Sequence, residues 1–295
     1  MTKFRCGRVV LIGEPNVGKS SIVNKIVGEK VSIVADLPGT TRSAIRGVKT
    51  GVDYQIVFLD TPGMHKTHNQ LHKFMSKSIS HALAEANLVM YVLDATDMRA
   101  EFIDKIKNYE KKEIPIIIAV NKADLTTFAK LYPKLEPLNS MSFVADIIPI
   151  SAKTGFNIDV LEKTLVKHLP EGEALFEDEA FTDQNTKSMA EEIIRGELLK
   201  LLHREIPHGI AVKITKWVED RRELEIHAEI ICDKPSHKPI IIGKKGAVLK
   251  TAGTVAREEI RKLTGMHVRL FTRVFVREEW RNKNSKLAEF GYVHQ

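Results

Sequence analysis

Cysteine is almost absent: of 295 residues only Cys6 and Cys232 carry a thiol. They lie far apart, in stretches that read as different domains, and neither has metal-like spacing, so a disulfide framework and a zinc site are both unsupported. A reducing, cytosolic setting is the expectation. Long apolar runs are missing as well. The run near the N-terminus is too short for a signal peptide, and no later stretch approaches the ~20 apolar residues of a membrane span. No internal repeat of fixed period appears. Acidic residues are outnumbered, with 38 Asp and Glu against 45 Lys and Arg, a formal net charge of +7 and a pI of about 9.2. That balance points to a polyanionic partner, and the position of the charge must decide which. The length and an apolar content of 43% suit two packed globular domains.

The stretch Gly13-Glu14-Pro15-Asn16-Val17-Gly18-Lys19-Ser20 organises the rest. It follows the apolar run Val9 to Ile12 and precedes a helical pattern that begins near Ser20. The spacing G-x-x-x-x-G-K-S lets a glycine-permissive backbone curl its N–H groups around a phosphate at a helix N-terminus, where the peptide dipoles also favour negative charge. Lys19 then reaches the β- and γ-phosphates, and the Ser20 hydroxyl can ligate Mg²⁺. The plainer alternative is a strand-turn-helix whose glycines merely turn the chain. Three further stretches weigh against it.

From Arg8 to about Leu169, short β-rich runs alternate with helical patterns, the sequence form of an α/β doubly wound, mostly parallel sheet. The strands read are Val9 to Ile12, Ile45 to Thr50, Tyr54 to Asp60, Leu88 to Asp94, Ile114 to Asn121 and Ile147 to Ser151. Several are nearly unbroken Val/Ile/Leu runs, as expected when helices cover both faces. Ligands of such sheets bind beyond the carboxyl ends of strands, and the informative residues lie there. Asp60-Thr61-Pro62-Gly63 ends the third strand: Asp60 is placed to hold Mg²⁺ through water, and the N–H of Gly63 can approach a γ-phosphate unobstructed by a Cβ. Asn121-Lys122-Ala123-Asp124 ends the fifth. Asp124 can accept both N1–H and N2–H₂ of guanine, whereas adenine would leave a buried carboxylate unpaired. The stem of Lys122 can lie on the base and Asn121 can brace the phosphate loop. Ser151-Ala152-Lys153 ends the sixth, where the N–H of Ala152 can meet guanine O6.

In this order the motifs resemble those of the translation-factor-related class of P-loop GTPases, over Val9 to Leu169. The resemblance implies GTP hydrolysis with GTP, GDP and Mg²⁺ as ligands, and Lys19, Thr41, Asp60 and Gly63 as the catalytic set. A first nucleotide-sensing switch would be Val34 to Ser43 with Pro38-Gly39-Thr40-Thr41-Arg42 at its centre, Thr41 meeting Mg²⁺ alongside Ser20 and Asp60. The second would start at Asp60 and run through Met64 and His65 into the loop before Leu71. Met64 stands where many GTPases carry a water-orienting glutamine, and a thioether cannot do that work. Intrinsic hydrolysis should therefore be slow, with electrostatic help from a ribosomal partner or a cation. Asn16 has two readings. It holds K⁺ at the phosphates, as in related GTPases, or it only caps the loop through backbone N–H groups.

Around Pro170 to Lys187 the periodic pattern lapses into an acidic, polar stretch that reads as a linker. Beyond it the order becomes αββααβ: a helix carrying Met189, Ile193, Ile194, Leu198 and Leu201, strands Ile210 to Trp217 and Leu224 to Cys232, two helices, and a last strand Met266 to Arg277. Gly243-Lys244-Lys245-Gly246 lies between the two helices and resembles the loop of a KH (type II) domain, a smaller α+β unit. Its glycines let the backbone touch a single strand's phosphates while Lys244 and Lys245 supply charge. On the last strand Arg269, Phe271, Arg273, Phe275 and Arg277 share one face. They suit base stacking and phosphate contact, but pairing across the sheet with Glu223, Glu225 and Glu229 is the more ordinary reading. Trp280, Arg281, Lys283 and Lys286 read as available for RNA.

The expected division is a GTPase domain over 1–170, a linker over 171–187, a KH RNA-binding domain over 188–280 and a tail over 281–295. A P-loop GTPase joined to one C-terminal KH domain resembles the Era family of bacterial GTPases. The carrying residues are Gly13 to Ser20, Thr40-Thr41-Arg42, Asp60 to Gly63 with His65, Ala190-Glu191-Glu192-Ile193-Ile194-Arg195, Ile240 to Gly246, and Trp280-Arg281 followed by Gly291-Tyr292. Gly39 departs from the pattern, in which glutamine usually precedes the two threonines. The resemblance implies a GTP-hydrolysing switch that binds the 3′ end of small-subunit rRNA through Gly243, Lys244, Lys245, Gly246 and Arg281 and assists small ribosomal subunit maturation. It also implies a cytoplasmic monomer with weak peripheral contact at the inner face of the membrane. The alternatives are a tRNA-modifying GTPase, disfavoured by the KH order and by the lack of a cysteine-bearing C-terminal motif, and a membrane-associated signalling GTPase. A pure RNA scaffold with a vestigial nucleotide fold is opposed by the intact Lys19, Ser20, Asp60 and Asp124.

Overall fold

The computed structural model describes residues 3–34, 45–63, 69–99, 101–110, 114–203 and 206–292. They divide into two compact units, one drawn from residues up to 32, 45–63 and 76–183, the other from 33–34, 69–75 and 184 onward. Among the described residues no helix is long and apolar enough to cross a membrane.

The first unit is a six-stranded sheet made of β1 (Arg5–Ile12), β2 (Ile45–Thr50), β3 (Tyr54–Asp60), β4 (Leu88–Asp94), β5 (Ile116–Asn121) and β6 (Val144–Pro149). Its order is β2-β3-β1-β4-β5-β6, and only the β2–β3 pair is antiparallel. The helices are α1 (Lys19–Val27), α2 (Gln70–Ala84), of which residues from Ser76 on belong to this unit and those up to Met75 to the second, α3 (Glu101–Lys107), α4 (Phe128–Asn139) and α5 (Ile158–His168). Val9 and Leu11 of β1 face a core shared with Ile22 and Ile26 of α1 and Leu161 and Leu165 of α5. The alternate residues Val10 and Ile12 face a second core with Phe102 and Ile106 of α3 and Leu131 and Leu135 of α4. Side chains alternate along a strand, so a strand buried on both faces must be apolar at every position. Three expected strands have shifted limits. β1 begins at Arg5 rather than Val9. β5 begins at Ile116 rather than Ile114 because Pro115 has no N–H for the ladder. β6 starts earlier, at Val144, and ends at Pro149, since the N–H of Ser151 turns away to the carbonyl of Phe156.

The segment read as a linker is laid along this same unit. The side-chain carbonyl of Gln55 accepts from the N–H groups of Leu175 and Phe176 at 2.8 and 2.9 Å, and the N–H of Val48 donates to the carbonyl of Phe181. Gln55 is fully buried, so this loop covers a polar side chain and satisfies it.

The second unit holds α6 (Thr186–Leu201), β7 (Ala211–Asp220), β8 (Glu223–Cys232), α7 (His237–Ile242), α8 (Ala247–Thr264), β9 (His267–Val276) and α9 (Asn284–Glu289). The sheet order is β7-β8-β9, antiparallel then parallel, which is the expected αββααβ arrangement. Asn185 caps α6 by accepting the N–H of Ser188 at 2.8 Å. Ala190, Ile194 and Leu198 of α6 and Ala252, Ala256 and Ile260 of α8 close the core over one face of the sheet. Between Ile214 and Lys216 the pairing with β8 shifts register, and the N–H of Ile214 donates to Glu191 of α6 at 2.7 Å. A smaller cluster gathers Leu71 and Met75 with Ile231, Trp280, Leu287 and Phe290.

Candidate functional site

The carboxyl end of β1 leads into the phosphate loop, and α1 begins at Lys19. Lys19 is buried, and its Nζ donates to the carbonyls of Gly13 and Glu14 at 3.0 Å each. Burial lowers its pKa to about 8, against the pull of Asp60 and Glu14, which favour the charged form. The Ser20 hydroxyl donates to Oδ2 of Asp60 at 2.7 Å, and Asp60 itself is fully buried at the end of β3. Beside it Thr61 Oγ1 donates to the carbonyl of Leu11 at 2.6 Å, tying the end of β3 to β1. Gly63 lies against the loop: a Cβ there would sit 3.0 Å from backbone atoms of Pro15. Asn16 is exposed in the left-handed region, with φ 62°, and its amide makes no hydrogen bond among the described residues.

Asn121 joins three segments. Its Nδ2 donates to the carbonyl of Val17 at 2.8 Å and its Oδ1 accepts the N–H of Ala152 at 3.0 Å. The amide passes so close to the loop that a Cβ on Gly18 would lie 2.2 Å from Nδ2, and Gly18 also holds φ 97°. Only glycine fits there. Lys122, with φ 63°, donates from Nζ to Oδ2 of Asp94 at 2.6 Å, which holds its stem across the site. Burial pushes the Asp94 carboxyl up, but the hydrogen bonds from Lys122 and Thr96 outweigh it and hold it below the usual range. Asp124 is exposed and makes no contact with another polar group among the described residues, leaving both carboxylate oxygens open to a base. Ser151 is buried and accepts the N–H of Thr154 at 3.1 Å, which shapes the loop that carries Ala152 and the exposed Lys153.

In the second unit, Gly243-Lys244-Lys245-Gly246 joins α7 to α8, with Gly246 at the N-terminus of α8. Lys244 and Lys245 are exposed and make no ion pair among the described residues. Ile240, on the helix just before the loop, is half-exposed. On β9 Arg269 pairs across the sheet with Glu223 at 3.4 Å and Glu225 at 3.8 Å and also lies over the ring of Phe271, while Arg277, just past the strand, lies over the ring of Phe275.

A family described as "50S ribosome-binding GTPase" matches residues 8–122, and a KH domain family matches residues 205–281. The chain is 40% identical to the GTPase Era of Clostridium novyi over 98% of its own length and 99% of that protein. The Clostridium acetobutylicum GTPase Era is 39% identical, with 98% of each chain covered. The chain belongs to the Era GTPases. Among solved structures, Era in complex with MgGDPNP and nucleotides 1506–1542 of 16S ribosomal RNA superposes with a TM-score of 0.94 at 37% identity, covering 99% of this chain and 100% of that one. An Aquifex aeolicus Era variant bound to GDP·AlF4⁻ gives 0.94 at 36% identity, with the same coverage.

This Era GTPase is a Mg²⁺-dependent GTP hydrolase, and its residues fit the ion. Ser20 and Asp60 put a hydroxyl and a carboxylate 2.7 Å apart beside the phosphate loop, hard oxygens of the kind Mg²⁺ takes. Among the described residues no cluster of three or more acidic, histidine or cysteine side chains could cage a metal; Mg²⁺ commonly takes one or two protein oxygens together with waters and phosphate oxygens.

One expectation needs correcting, and one site group is found already engaged. The N–H of Ala152 meets the oxygen of the Asn121 amide, whose nitrogen donates to Val17, so a guanine O6 would share that N–H with the amide. Trp280 is not available to RNA as expected, and Arg281 is partly exposed but already ion-paired. Trp280 is fully buried, with Nε1 donating to the carbonyl of Gly209 at 3.0 Å, and Arg281 directs Nε and an NH₂ nitrogen to Oδ2 of Asp233. An indole and a guanidinium with buried partners close at hand are held by them. Thr41, with the rest of the first switch centre, and Met64 and His65 of the second lie outside the described residues. Sequence reading missed Asp94 as the partner of Lys122 and Lys105 as the partner of Glu14, and no local pattern signals either.

Proposed function

We propose that this Era GTPase acts as a GTP-driven switch in maturation of the small ribosomal subunit, its KH unit taking the single-stranded 3′ end of small-subunit rRNA. The observation that carries this is the Gly243–Gly246 loop, which offers two exposed, unpaired lysines at the start of α8. The solved Era complex with nucleotides 1506–1542 of 16S rRNA supports that choice of RNA.

In the nucleotide site Lys19 meets the β- and γ-phosphates, Gly63 the γ-phosphate, and Asp124 the guanine edge, with Asn121 and Lys122 holding the base loop. Ser20, Asp60 and Thr41 would hold Mg²⁺, which when bound neutralises charge on the phosphate oxygens. The uncommitted amide of Asn16 supports a further role for it as a K⁺ ligand. Arg281, partly exposed and fixed by Asp233, would add a guanidinium beside the RNA. We place the protein in the cytosol as a monomer. The net charge of +7 also supports weak peripheral contact with anionic lipid, secondary to RNA.

Crosslinking purified protein to mature and precursor small-subunit rRNA tests the reading. Crosslinks should concentrate at the 3′ end and map to the Gly243–Gly246 loop; crosslinks scattered over the rRNA, or confined to tRNA, would overturn it.

A further inference from the structure

Glu14 is an anionic side chain within a loop built to receive anionic phosphates. Its backbone carbonyl accepts from Lys19 at 3.0 Å, so its carboxylate belongs to the residue next to the phosphate-binding lysine. Left uncompensated, it would oppose every phosphate that enters, and a triphosphate more than a diphosphate. The fold supplies a cation from a different element. Lys105 of α3, 91 residues further on, donates from Nζ to Oε1 of Glu14. Lys105 is itself held. Phe102 anchors α3 in the core, the Lys105 ammonium lies 5.4 Å from the centre of its ring, and Glu101 stands 4.0 Å away on the same helix. The fully buried Tyr91 lies close enough to feel the charge of Glu14, so the carboxylate has low-dielectric protein on that side.

We infer that Lys105 is a positioning residue for nucleotide binding: it neutralises Glu14 and holds the carboxylate toward α3, away from the phosphates and from Lys19. The inference rests on residues 13–20 being the phosphate loop.

Equilibrium binding of fluorescent GDP and a non-hydrolysable GTP analogue to the full chain, with saturating Mg²⁺ at low and high salt, provides the test. Lys105→Ala should weaken the GTP analogue by roughly three- to twentyfold at low salt and GDP by less, and the loss should shrink at high salt because the pair is only partly buried. Lys105→Arg should retain affinity. In a Glu14→Gln background, Lys105→Ala should cost nothing further. The inference is overturned if Lys105→Ala binds as the parent does, or if its loss persists undiminished with Glu14→Gln, which would make Lys105 a support for α3 alone. Failure of the underlying loop assignment would show separately, as a Lys19→Ala protein that still binds both nucleotides at full affinity.

Discussion

The side-chain amide of Asn121 donates to the carbonyl of Val17 at 2.8 Å, joining the base-binding loop after β5 to the middle of the phosphate loop. With its other atom on the N–H of Ala152, one side chain fixes the two ends of the nucleotide site relative to each other. Asn121→Ala removes both bonds and leaves a buried carbonyl and N–H unpaired, a loss of about 2–3 kcal/mol in preorganisation. GDP and GTP affinities should therefore fall together, by roughly thirty- to a hundred-and-fiftyfold. Nucleotide titration checks this, and a fall confined to GTP would contradict the bracing role.

Asp124 faces solvent with both oxygens open. If it reads N1–H and N2–H₂ of guanine, Asp124→Asn should shift preference from GTP toward XTP, since xanthine presents a carbonyl where guanine has its amino group and an amide can donate to it. Competition between GTP and XTP for the variant measures the shift. Undiminished GTP affinity would remove the guanine assignment.

Much of this was legible before any coordinates. Strand ends of a parallel sheet carry sequence motifs because the backbone and a few side chains must converge there, so the residues at Gly13–Ser20, Asp60–Gly63, Asn121–Asp124 and Ser151–Lys153 announce themselves. The αββααβ order around Gly243–Gly246 was readable from periodicity alone. What stayed hidden are relationships between distant residues without local pattern. Lys105 sits in an ordinary amphipathic turn, and nothing nearby says that it reaches Glu14. Acidic residues 170–187 look like a free linker because the buried Gln55 that receives them lies 120 residues earlier. Trp280 looks like an RNA contact because aromatic residues outside regular strands often are, and only the packing shows it turned inward.

Glu191 accepts the N–H of Ile214 at the irregularity in β7, and burial, the largest influence on it, raises its carboxyl above the ordinary value of 4.5 despite that bond and the nearby Lys213 and Lys187. A carboxyl raised in the folded state contributes its full stability below the unfolded value, and loses it as pH climbs from there through the folded value, because the unfolded chain releases the proton first. Glu191→Gln keeps an acceptor for Ile214 without the charge. Its Tm should exceed the parent's at pH 7, with the difference closing toward pH 4. A lower Tm at pH 7 would show the ionised carboxylate to be stabilising.

Asn16 makes no hydrogen bond among the described residues, so the loop-capping role finds no support in its geometry, and the proposed cation role is open to a direct test. GTP hydrolysis should be faster in K⁺ than in Na⁺ at equal ionic strength with Mg²⁺ saturating. Asn16→Ala should abolish the difference, and Met64→Ala should change it little. Equal rates in the two salts would leave Asn16 a structural residue.

The central claim is that RNA is read at the Gly243–Gly246 loop. The two glycines are unequal as probes. A Cβ on Gly243 would lie 2.6 Å from Cγ2 of Val248, so a change there disturbs the core, whereas at Gly246 nothing lies within 4 Å and aspartate is among the side chains least strained by its φ of 78°. Filter binding of a small-subunit 3′-end rRNA oligonucleotide to Gly246→Asp and parent, across a salt series and with GDP or a GTP analogue bound, is the most direct test. The account predicts at least a tenfold loss of affinity at low salt with GTP hydrolysis nearly intact, and a parent affinity that differs between the two nucleotides. An affinity unchanged by Gly246→Asp would contradict it.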